Sequence, residues 1–345
     1  MNASAIPLIA TASLSLVIPT RRPRLLRDNL LRSLERASPR PAEVIVVDDA
    51  ASPPAAEYLQ DFPGVRLVRL TPQGGPARAR NAGAALATQE ILVFLDDDVL
   101  VSPDLFARLA AHFRDHATTA VTGLFSRESF HSNFCSRYKN EYMHYICRRA
   151  APRTATLLTA ICAVRRAAFS ATGGFDEAIR AATVEDIDLG RRLSTSEPAV
   201  RFDPELQVVH LKHYGPLSLL DSHFQRSRDM ACYLLQRGPI ALWRDIADSQ
   251  DQLSLPWHFS LGVVLVAVAM AAPLAGFWWP HLALPLSAAA LILALAVNLP
   301  FLRFVAVQHG VQFALAAAPV LLIEFAVSVV ASLWAALTLA LRAGR

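Results

Sequence analysis

The sequence has 345 residues, a formal net charge of +4, 53% hydrophobic residues and 18% charged residues. A chain of this length can bury at least one full core and is expected to form roughly two domains. Nearly all of the charge lies before Asp251, and the apolar excess lies after it. This asymmetry excludes a uniformly soluble protein and indicates a soluble region joined to a membrane region.

The basic residues indicate which kind of partner the protein binds, and the cysteines indicate its redox environment. Seven arginines lie between Arg21 and Arg40, and a second basic group comprises Arg137, Lys139, Arg148, Arg149 and Arg153. With hydrophobic segments downstream, anionic lipid is favoured over nucleic acid, and solvated helix faces are the alternative for each group. The cysteines, at positions 135, 147, 162 and 232, have no CxxC spacing. Neither a zinc cluster nor a disulfide framework is therefore indicated, and a reducing cytoplasm suits them.

The first third of the chain alternates apolar runs with helical patterns. Residues 1–13 are expected to be a loose tail, because they lack the basic start and cleavage site of a secretory signal. The predicted elements after it are a buried strand at Leu14–Ile18, a helix over Arg24–Arg36, a buried strand at Val44–Val47, an edge strand at Val65–Leu70, a helix over about Ala77–Thr88 and a buried strand at Ile91–Leu95. This order predicts an α/β domain with a Rossmann-like, mainly parallel sheet covered on both sides.

Three of these strands end in polar or acidic side chains, namely Thr20, the pair Asp48 and Asp49, and the triplet Asp96, Asp97 and Asp98. In a parallel sheet such ends lie side by side, at the edge where open α/β sheets bind ligands. Adjacent carboxylates stay ionised at neutral pH when Mg²⁺ or Mn²⁺ offsets their repulsion, and the ion keeps positions for phosphate oxygens. A solvated acidic turn is the alternative for the triplet alone. Since GxGxxG and GxxxxGK[ST] are absent, a nucleotide would be held by side chains and a metal.

The middle of the chain continues the alternation less regularly. The predicted elements are a helix over Pro103–His116, a strand at Ala120–Leu124, a helical pattern over Glu128–Arg149 and an apolar run at Thr159–Val164. Residues 128–149 mix aromatics and bases, as in a surface helix at the level of lipid headgroups. Packing of this helix against the sheet is the alternative.

A glycine turn and an acidic helix start follow. Gly173 and Gly174 permit a sharp turn, and Glu185, Asp186 and Asp188 lie in the first turn of a predicted helix. For Asp188 we favour a role in capping the N-terminus of this helix. For Asp186 a catalytic interpretation competes with capping, because a carboxylate beside a metal–nucleotide site can accept a proton from an incoming hydroxyl group.

Histidine and arginine candidates come next. A strand predicted at Arg201–Val209 ends in His210, with His213 three residues later. Either imidazole could complete an oxygen-rich metal site or be structural. A helix over 221–237 carries Arg226 and Arg228, which could neutralise the charge of a leaving diphosphate or could simply be solvated.

Three long apolar runs end the chain, at Trp257–Trp279, His281–Leu302 and Val311–Leu341. The first two are long enough to span a bilayer and carry no charge. The third is interrupted by Pro319 and Glu324 and is predicted as one tilted or kinked span, in which Glu324 needs a partner or a wet cavity. With three spans and a cytoplasmic catalytic region, Arg342 and Arg345 would lie outside, against the positive-inside tendency; two or four segments would place them inside.

An ordered series of motifs covers residues 14 to 215: VIPT at 17–20, VVDDA at 46–50, ARN-A-G at 79–83, FLDDDV at 94–99, GGFDE at 173–177 and VEDIDLGRRL at 184–193. The series resembles the family 2 glycosyltransferases of GT-A fold. This resemblance implies a nucleotide-sugar donor, a divalent cation (Mg²⁺ or Mn²⁺), and inversion at the anomeric carbon by one direct displacement.

The resemblance also implies roles for single residues. Asp49 matches the carboxylate on the nucleobase or ribose side of the donor, Asp98 is the expected direct metal ligand of the DxD motif, and Asp186 matches the general base of the ED motif, supported by Glu185. With the strand-end chemistry, the candidates are Asp186 and Glu185 for catalysis; Pro19, Thr20, Asp48, Asp49, Arg80, Asn81, Asp96, Asp97, Arg226 and Arg228 for donor binding; and Asp96, Asp98 and His210 for the metal.

One departure from the family pattern bears on whether the enzyme adds one sugar or many. Processive members carry a QxxRW motif, whereas here Gln225, Arg226 and Arg228 lie in QRSRDM without a tryptophan. This favours transfer of a single sugar. The trailing spans are like those of members that act on lipid carriers or membrane-bound acceptors, so we expect a lipid-linked or membrane-associated acceptor at the cytoplasmic side of the cell membrane.

The predicted domains are the tail at 1–13, a GT-A domain at 14–215 with a nucleotide-sugar half (14–120) and an acceptor half (121–215), interfacial helices at 216–256 and a membrane region at 257–341. Two alternative functions remain. A GT-A-like nucleotidyltransferase would have less need for a base at Asp186. A non-catalytic membrane scaffold would tolerate replacement of both Asp98 and Asp186.

Overall fold

The computed structural model describes residues 14–179, 183–194, 199–238, 256–276 and 279–343. The predicted tail at 1–13 therefore lies outside the described residues. The chain forms two compact units. The first comprises residues up to Ser132 together with Ala150–Lys212, and the second comprises Asn133–Arg149 together with His213 and all that follows.

The first unit is built on one sheet whose first four strands are parallel. These strands are β1 (Leu14–Thr20), β2 (Glu43–Asp49), β3 (Val65–Leu70) and β4 (Ile91–Leu95), in the spatial order β3-β2-β1-β4. Val17 lies beside Ile45 of β2 on one side and beside Phe94 of β4 on the other. Their carboxyl ends consequently share one edge, as the sequence predicted.

The second half of the sheet is mixed. It contains β5 (Val99–Val101), β6 (Ala120–Phe125), β7 (Arg153–Thr154), β8 (Ile161–Arg165) and β9 (Val200–His210), and the order continues from β4 as β8-β6-β9-β5. Only β6 and β9 are parallel here; β8 runs antiparallel to both β4 and β6, and β5 and β7 run antiparallel to β9. The predicted α/β class is confirmed, while the parallel part is limited to the first four strands and the β6–β9 pair.

Helices of the first unit connect and cover these strands. They are α1, which runs through the contiguous segments Pro23–Leu25, Leu26–Leu31 and Arg32–Leu34, α2 (Pro76–Leu86), α3 (Leu105–His112), α5 (Arg166–Ala171) and α6 (Glu185–Leu193). Helix α2 contacts β1 and β2 through its alanines, and Gly83 allows this approach because a Cβ there would lie 2.4 Å from a methyl group of Val17. Burial of β1, β2 and β4 side chains against α2 contributes to the hydrophobic driving force for folding of this unit.

The second unit is helical. Its elements are α4 (Phe134–Cys147), α7 (Pro216–Arg237), α8 (Trp257–Ala275), α9 (Pro280–Val297), α10 (Leu299–His309) and α11 (Val311–Ala343). Three of them, α8, α9 and α11, are long and apolar enough to cross a membrane. The predicted second span extended to Leu302, but Asn298 ends α9 and α10 begins with a proline in its first turn.

Tyrosines of α4 contribute to the core of the second unit. Tyr138, Tyr142 and Tyr145 pack around Phe301 of α10, with ring centroids 5.4–6.0 Å apart. This packing explains why residues 133–149 group with the C-terminal helices. The predicted domain boundaries stay a prediction, and the compact units differ from them in this segment.

Glu324 of α11 is fully buried and has partners from α4 and α7. Tyr138 donates a hydrogen bond to Glu324 Oε2 at 2.7 Å, while His223 Nδ1 lies 3.3 Å and Lys139 Nζ 3.7 Å from Oε1. A lone carboxylate inside an apolar span would be costly, and these partners offset its charge. The cluster thus ties α4 and α7 to the longest membrane-spanning candidate.

Candidate active site

The triplet that follows β4 is joined directly to the end of β1. Thr20 Oγ1 donates a hydrogen bond to Asp97 Oδ2 at 2.7 Å, and both side chains are buried. Burial and the neighbouring charge of Asp98 raise the pKa of Asp97, although Arg22 opposes that shift. Asp97 therefore fixes the strand ends to one another instead of facing open solvent, a role that the triplet pattern alone did not reveal.

Arg22 bridges the two buried carboxylates of the triplet. Its Nη2 lies 2.5 Å from Asp97 Oδ1 and 2.9 Å from Asp98 Oδ2. The Arg22 side chain is 49% exposed, whereas those of Asp97 and Asp98 are 6% and 7% exposed. The only signal for Arg22 in the sequence is its membership of the first basic stretch, between Arg21 and Arg40.

Asp98 and His210 meet across the β5–β9 pair. Val99 lies opposite His210 in this antiparallel register, and His210 Nε2 is 3.6 Å from Asp98 Oδ2. The His210 ring stacks on Phe125, with centroids 4.5 Å apart. Burial opposes ionisation of Asp98, yet the contacts with His210 and Arg22 hold the pKa of Asp98 below its usual range.

These residues fit a divalent cation that has few protein ligands. No group of three or more His, Cys, Asp or Glu side chains suited to a metal occurs in the described part of the chain. Asp98 and His210 would supply two ligands, and Mg²⁺ in phosphate-binding sites takes most of its other ligands from water and phosphate. Asp96, the third predicted ligand, instead contacts Arg80.

The acidic pair at the end of β2 shapes two loops. Asp48 accepts hydrogen bonds from the backbone N–H groups of Ala51 (2.7 Å) and Ala55 (2.9 Å) and from Arg69 (2.8 Å). This fully buried carboxylate, with three donors, organises the loop behind the site. Pro19 lies in β1 opposite Val47 of β2, one register position before the Thr20–Asp48 pair.

Asp49 holds the loop that precedes α2. Its two oxygens accept hydrogen bonds from the backbone N–H groups of Gly74 (2.7 Å) and Gly75 (3.0 Å). Gly75 has φ +85°, a conformation that favours glycine, immediately before the first residue of α2. Each carboxylate oxygen retains a second acceptor position, so Asp49 could still receive a hydrogen bond from a nucleoside.

Arg80 of α2 connects the triplet to the start of α6. Its Nη2 lies 2.7 Å from Asp96 Oδ1 and its Nη1 lies 2.8 Å from Glu185 Oε1. The side chains of Arg80 and Glu185 are each 3% exposed, and the guanidinium also lies 5.5 Å from the Phe175 ring centroid. Three segments distant in sequence are thereby joined by one buried cation.

Asn81 forms hydrogen bonds with the segment that follows the glycine turn. Its Nδ2 donates to the carbonyl oxygen of Phe175 (2.9 Å) and to Glu177 (3.0 Å), and its Oδ1 accepts from the Phe175 N–H (2.9 Å). Gly173 and Gly174 both have positive φ in this predicted turn. Asn81 thus holds the turn against α2, and its predicted role in donor binding stays a prediction.

Asp186 lies at the N-terminus of α6 beside Glu185. Its Oδ1 accepts a hydrogen bond from the Ile187 N–H at 2.9 Å, and its Oδ2 lies 3.4 Å from the Thr159 N–H. Part of the side chain remains accessible. Burial of the carboxyl, together with the adjacent Glu185 carboxylate, raises the pKa of Asp186 to about 7, against the opposing charge of Arg80. A carboxyl group tuned in this way is suited to accept a proton near neutral pH.

The remaining predicted residues lie in the second unit. Arg226 is exposed on α7, and Arg228 forms an ion pair with its neighbour Asp229, 2.6 Å from Nη2 to Oδ1. Their predicted role at the diphosphate stays a prediction.

Comparison with known proteins points to one family. Residues 15–173 match the model described as Glycosyl transferase family 2. A pre-mycofactocin glycosyltransferase of Mycobacterium tuberculosis (strain CDC 1551 / Oshkosh) is 30% identical over 208 residues, which cover 57% of this chain and 42% of that protein. A 4,4'-diaponeurosporenoate glycosyltransferase of Staphylococcus haemolyticus is 30% identical over 127 residues, covering 35% of this chain and 33% of that protein. The matched regions thus span less than half the length of these two relatives.

One solved structure supports the fold. The mannosyltransferase PcManGT from Pyrobaculum calidifontis, in complex with GDP-Man and Mn²⁺, is 19% identical, with a TM-score of 0.57 over 93% of this chain and 87% of that chain. At this level of identity the similarity shows a shared fold.

Proposed function

Since residues 15–173 match the model of glycosyl transferase family 2, we propose that this chain is a membrane-anchored inverting enzyme of that family. It moves a single sugar from a nucleotide-sugar donor to a hydroxyl group of a lipid-linked or membrane-associated acceptor. The observation that carries this proposal is the Arg80 bridge, because it ties the start of α6, where Asp186 lies, to the acidic triplet at the end of β4. Asp186 and the acidic triplet thereby lie in one unit, which supports their proposed roles as base and phosphate-binding edge.

The chemistry requires one displacement. The acceptor oxygen attacks the anomeric carbon, the bond from that carbon to the diphosphate oxygen breaks, and the diphosphate leaves with the electron pair. Asp186 accepts the hydroxyl proton as the new bond forms. Attack from the face opposite the leaving group inverts the configuration at the anomeric carbon.

The other residues at this edge of the sheet would bind and orient the nucleotide-sugar donor. A divalent cation, when bound, would neutralise the charge that develops on the diphosphate. Asp98 and His210 would hold that ion, and Asp49 would face the nucleoside. Glu185 and Arg80 influence the protonation of the Asp186 carboxyl in opposite directions.

Three features support a membrane acceptor and single transfer. Three helices are long and apolar enough to span a bilayer, a relative is named for a glycosyltransferase of diaponeurosporenoate, and the QRSRDM segment lacks the tryptophan of QxxRW. We place the catalytic unit on the cytoplasmic side of the cell membrane, in line with the reducing environment that the cysteines suit.

The donor is identified by a panel experiment on the full chain in detergent. We expect one class of UDP- or GDP-sugar, in the presence of Mn²⁺, to raise the melting temperature, because a ligand that binds the folded state stabilises it. The same labelled donor, with membrane lipid extract, should yield an organic-soluble product carrying one sugar. A panel without any stabilising donor, together with no labelled lipid, would contradict the proposal.

The pH dependence of the reaction follows from the pKa of Asp186. The protonated carboxyl cannot act as a base, so kcat/KM should fall about tenfold per pH unit below about pH 7 and level off above it. The measurement is kcat/KM between pH 5 and 8.5 (roughly two units below the transition and more than one above it), with binding of Mn²⁺ and UDP or GDP measured at each pH as a control. A rate that stays constant down to pH 5, with binding intact, would argue against Asp186 as the base.

A further inference from the structure

Arg22 occupies the position of a counter-ion beside the proposed cation site. One nitrogen, Nη2, contacts both Asp97 Oδ1 at 2.5 Å and Asp98 Oδ2 at 2.9 Å. Asp98 Oδ2 is also the oxygen that lies 3.6 Å from His210 Nε2. The guanidinium therefore occupies the same carboxylate oxygen that would ligate a divalent cation.

The Arg22 guanidinium and a divalent cation cannot both bind Asp98 Oδ2 strongly at the same time. A guanidinium and a divalent ion on one carboxylate oxygen would lie within a few ångströms of each other, and their repulsion is large in a partly desolvated site. A cation that binds between Asp98 and His210 must consequently displace the Arg22 side chain or bind more weakly because of it.

The Arg22 side chain is half exposed, whereas its backbone is held in place. Its backbone N–H donates to Thr20 Oγ1 at 3.1 Å, and the next residue, Pro23, is buried at the start of α1. The side chain itself is 49% exposed. Arg80, in contrast, is 3% exposed and fixed between two carboxylates.

We infer that Arg22 is an exchangeable counter-ion: it offsets part of the charge of Asp97 and Asp98 in the cation-free enzyme and moves to the diphosphate of the donor when the cation binds. This inference rests on the proposed function. A guanidinium has planar paired donors that match phosphate oxygens, and its charge would be near the phosphates that share the cation. Arg22 is thus a positioning residue that offsets part of the negative charge of the site in both states.

The inference predicts two opposite effects of Arg22→Gln. Mn²⁺ alone should bind about fivefold more tightly, because it no longer displaces a half-exposed ion pair. UDP or GDP in the presence of saturating Mn²⁺ should bind at least about tenfold more weakly, because a charge-assisted contact with the phosphates is lost. The measurements are free Mn²⁺ by electron paramagnetic resonance and nucleoside diphosphate binding by calorimetry, both on the full chain in detergent.

Arg21→Gln is the matched control, since Arg21 is the adjacent exposed arginine and its loss changes the net charge equally. It should leave both affinities within about twofold, as expected of a screened surface charge. Arg22→Lys should keep part of the diphosphate affinity, which a folding defect would not restore. Weaker or unchanged Mn²⁺ binding by Arg22→Gln would overturn the inference alone. A wild-type enzyme that binds neither Mn²⁺ nor a nucleoside diphosphate would overturn the proposed function as well.

Discussion

Asp186→Asn should lower kcat by about three orders of magnitude, the usual contribution of a positioned general base. Asparagine has the same shape but cannot accept the proton of the acceptor hydroxyl. Its amide oxygen can still accept the hydrogen bond from the Ile187 N–H, and the contact with Thr159 is already long at 3.4 Å. The local structure should therefore persist while the chemical step fails. Single-turnover transfer from labelled donor measures this loss.

Two controls distinguish loss of the general base from disruption of the structure of the site. Asp188→Asn removes the same charge from the same helix turn, where Asp188 pairs with Arg192 at 2.7 Å, and should retain most activity. Binding of Mn²⁺ with UDP or GDP should be nearly unchanged in Asp186→Asn. Turnover within tenfold of the wild-type rate would remove Asp186 from the role of base.

The same substitution should also stabilise the first unit above neutral pH. The folded-state pKa of Asp186, about 7, lies above the ordinary value of 3.8 for an aspartate. The folded protein therefore binds more protons than the unfolded chain between these values, and Asp186 costs more stability as the pH rises through that window. Asp186→Asn avoids this cost, so its gain in melting temperature should be larger at pH 8 than at pH 4.5.

Arg80→Met should destabilise the first unit by about 3–5 kcal/mol, because it removes the partner of a buried carboxylate. Glu185 would remain 3% exposed without its cation, and Asp96 would lose its contact at 2.7 Å. The melting temperature of the first unit should fall by about 10 °C. Activity should fall as well, since α6 would no longer be tied to the triplet.

The control for this substitution lies on the same helix. Arg78 is partly exposed and forms no ion pair with the described residues, so Arg78→Met should change stability by less than about 1 kcal/mol. The double variant Arg80→Met with Glu185→Gln should recover part of the lost stability, because it removes the unpaired charge. If Arg80→Met unfolds at the wild-type temperature, the bridge is not a stabilising element.

Local patterns in the sequence were sufficient for most elements of the first unit. Ile91–Leu95 is an apolar run with the bounds of β4, and Val65–Leu70 has those of β3. Strand and helix periods are properties of neighbouring residues, so they can be recognised without knowing the fold. The first strand extended beyond its prediction, through Pro19 to Thr20, because Pro19 and Thr20 continue the register with Val47 and Asp48 of β2.

Strand direction in the second half was not predictable in this way. Nothing in the apolar run that became β8 shows that it pairs antiparallel with β4 and β6. Likewise, the aromatic pattern of residues 134–147 permitted either packing on the sheet or a headgroup position, and it packs in the helical unit. Pairing partners are chosen by burial between segments far apart in sequence.

What the sequence by itself determined is the alternation of strands and helices, the shared edge of Thr20, Asp48 and Asp97, the apolar helices of the C-terminal third and the family-typical acidic residues. What only the tertiary structure decided is the partner of each charge. Asp48 shapes a loop, Asp96 pairs with Arg80, Asp97 and Asp98 pair with Arg22, and His210 meets Asp98. A carboxylate at a strand end attracts whichever cation the fold brings within a few ångströms, and that distance depends on packing across the whole unit and not on the residues beside it in the chain.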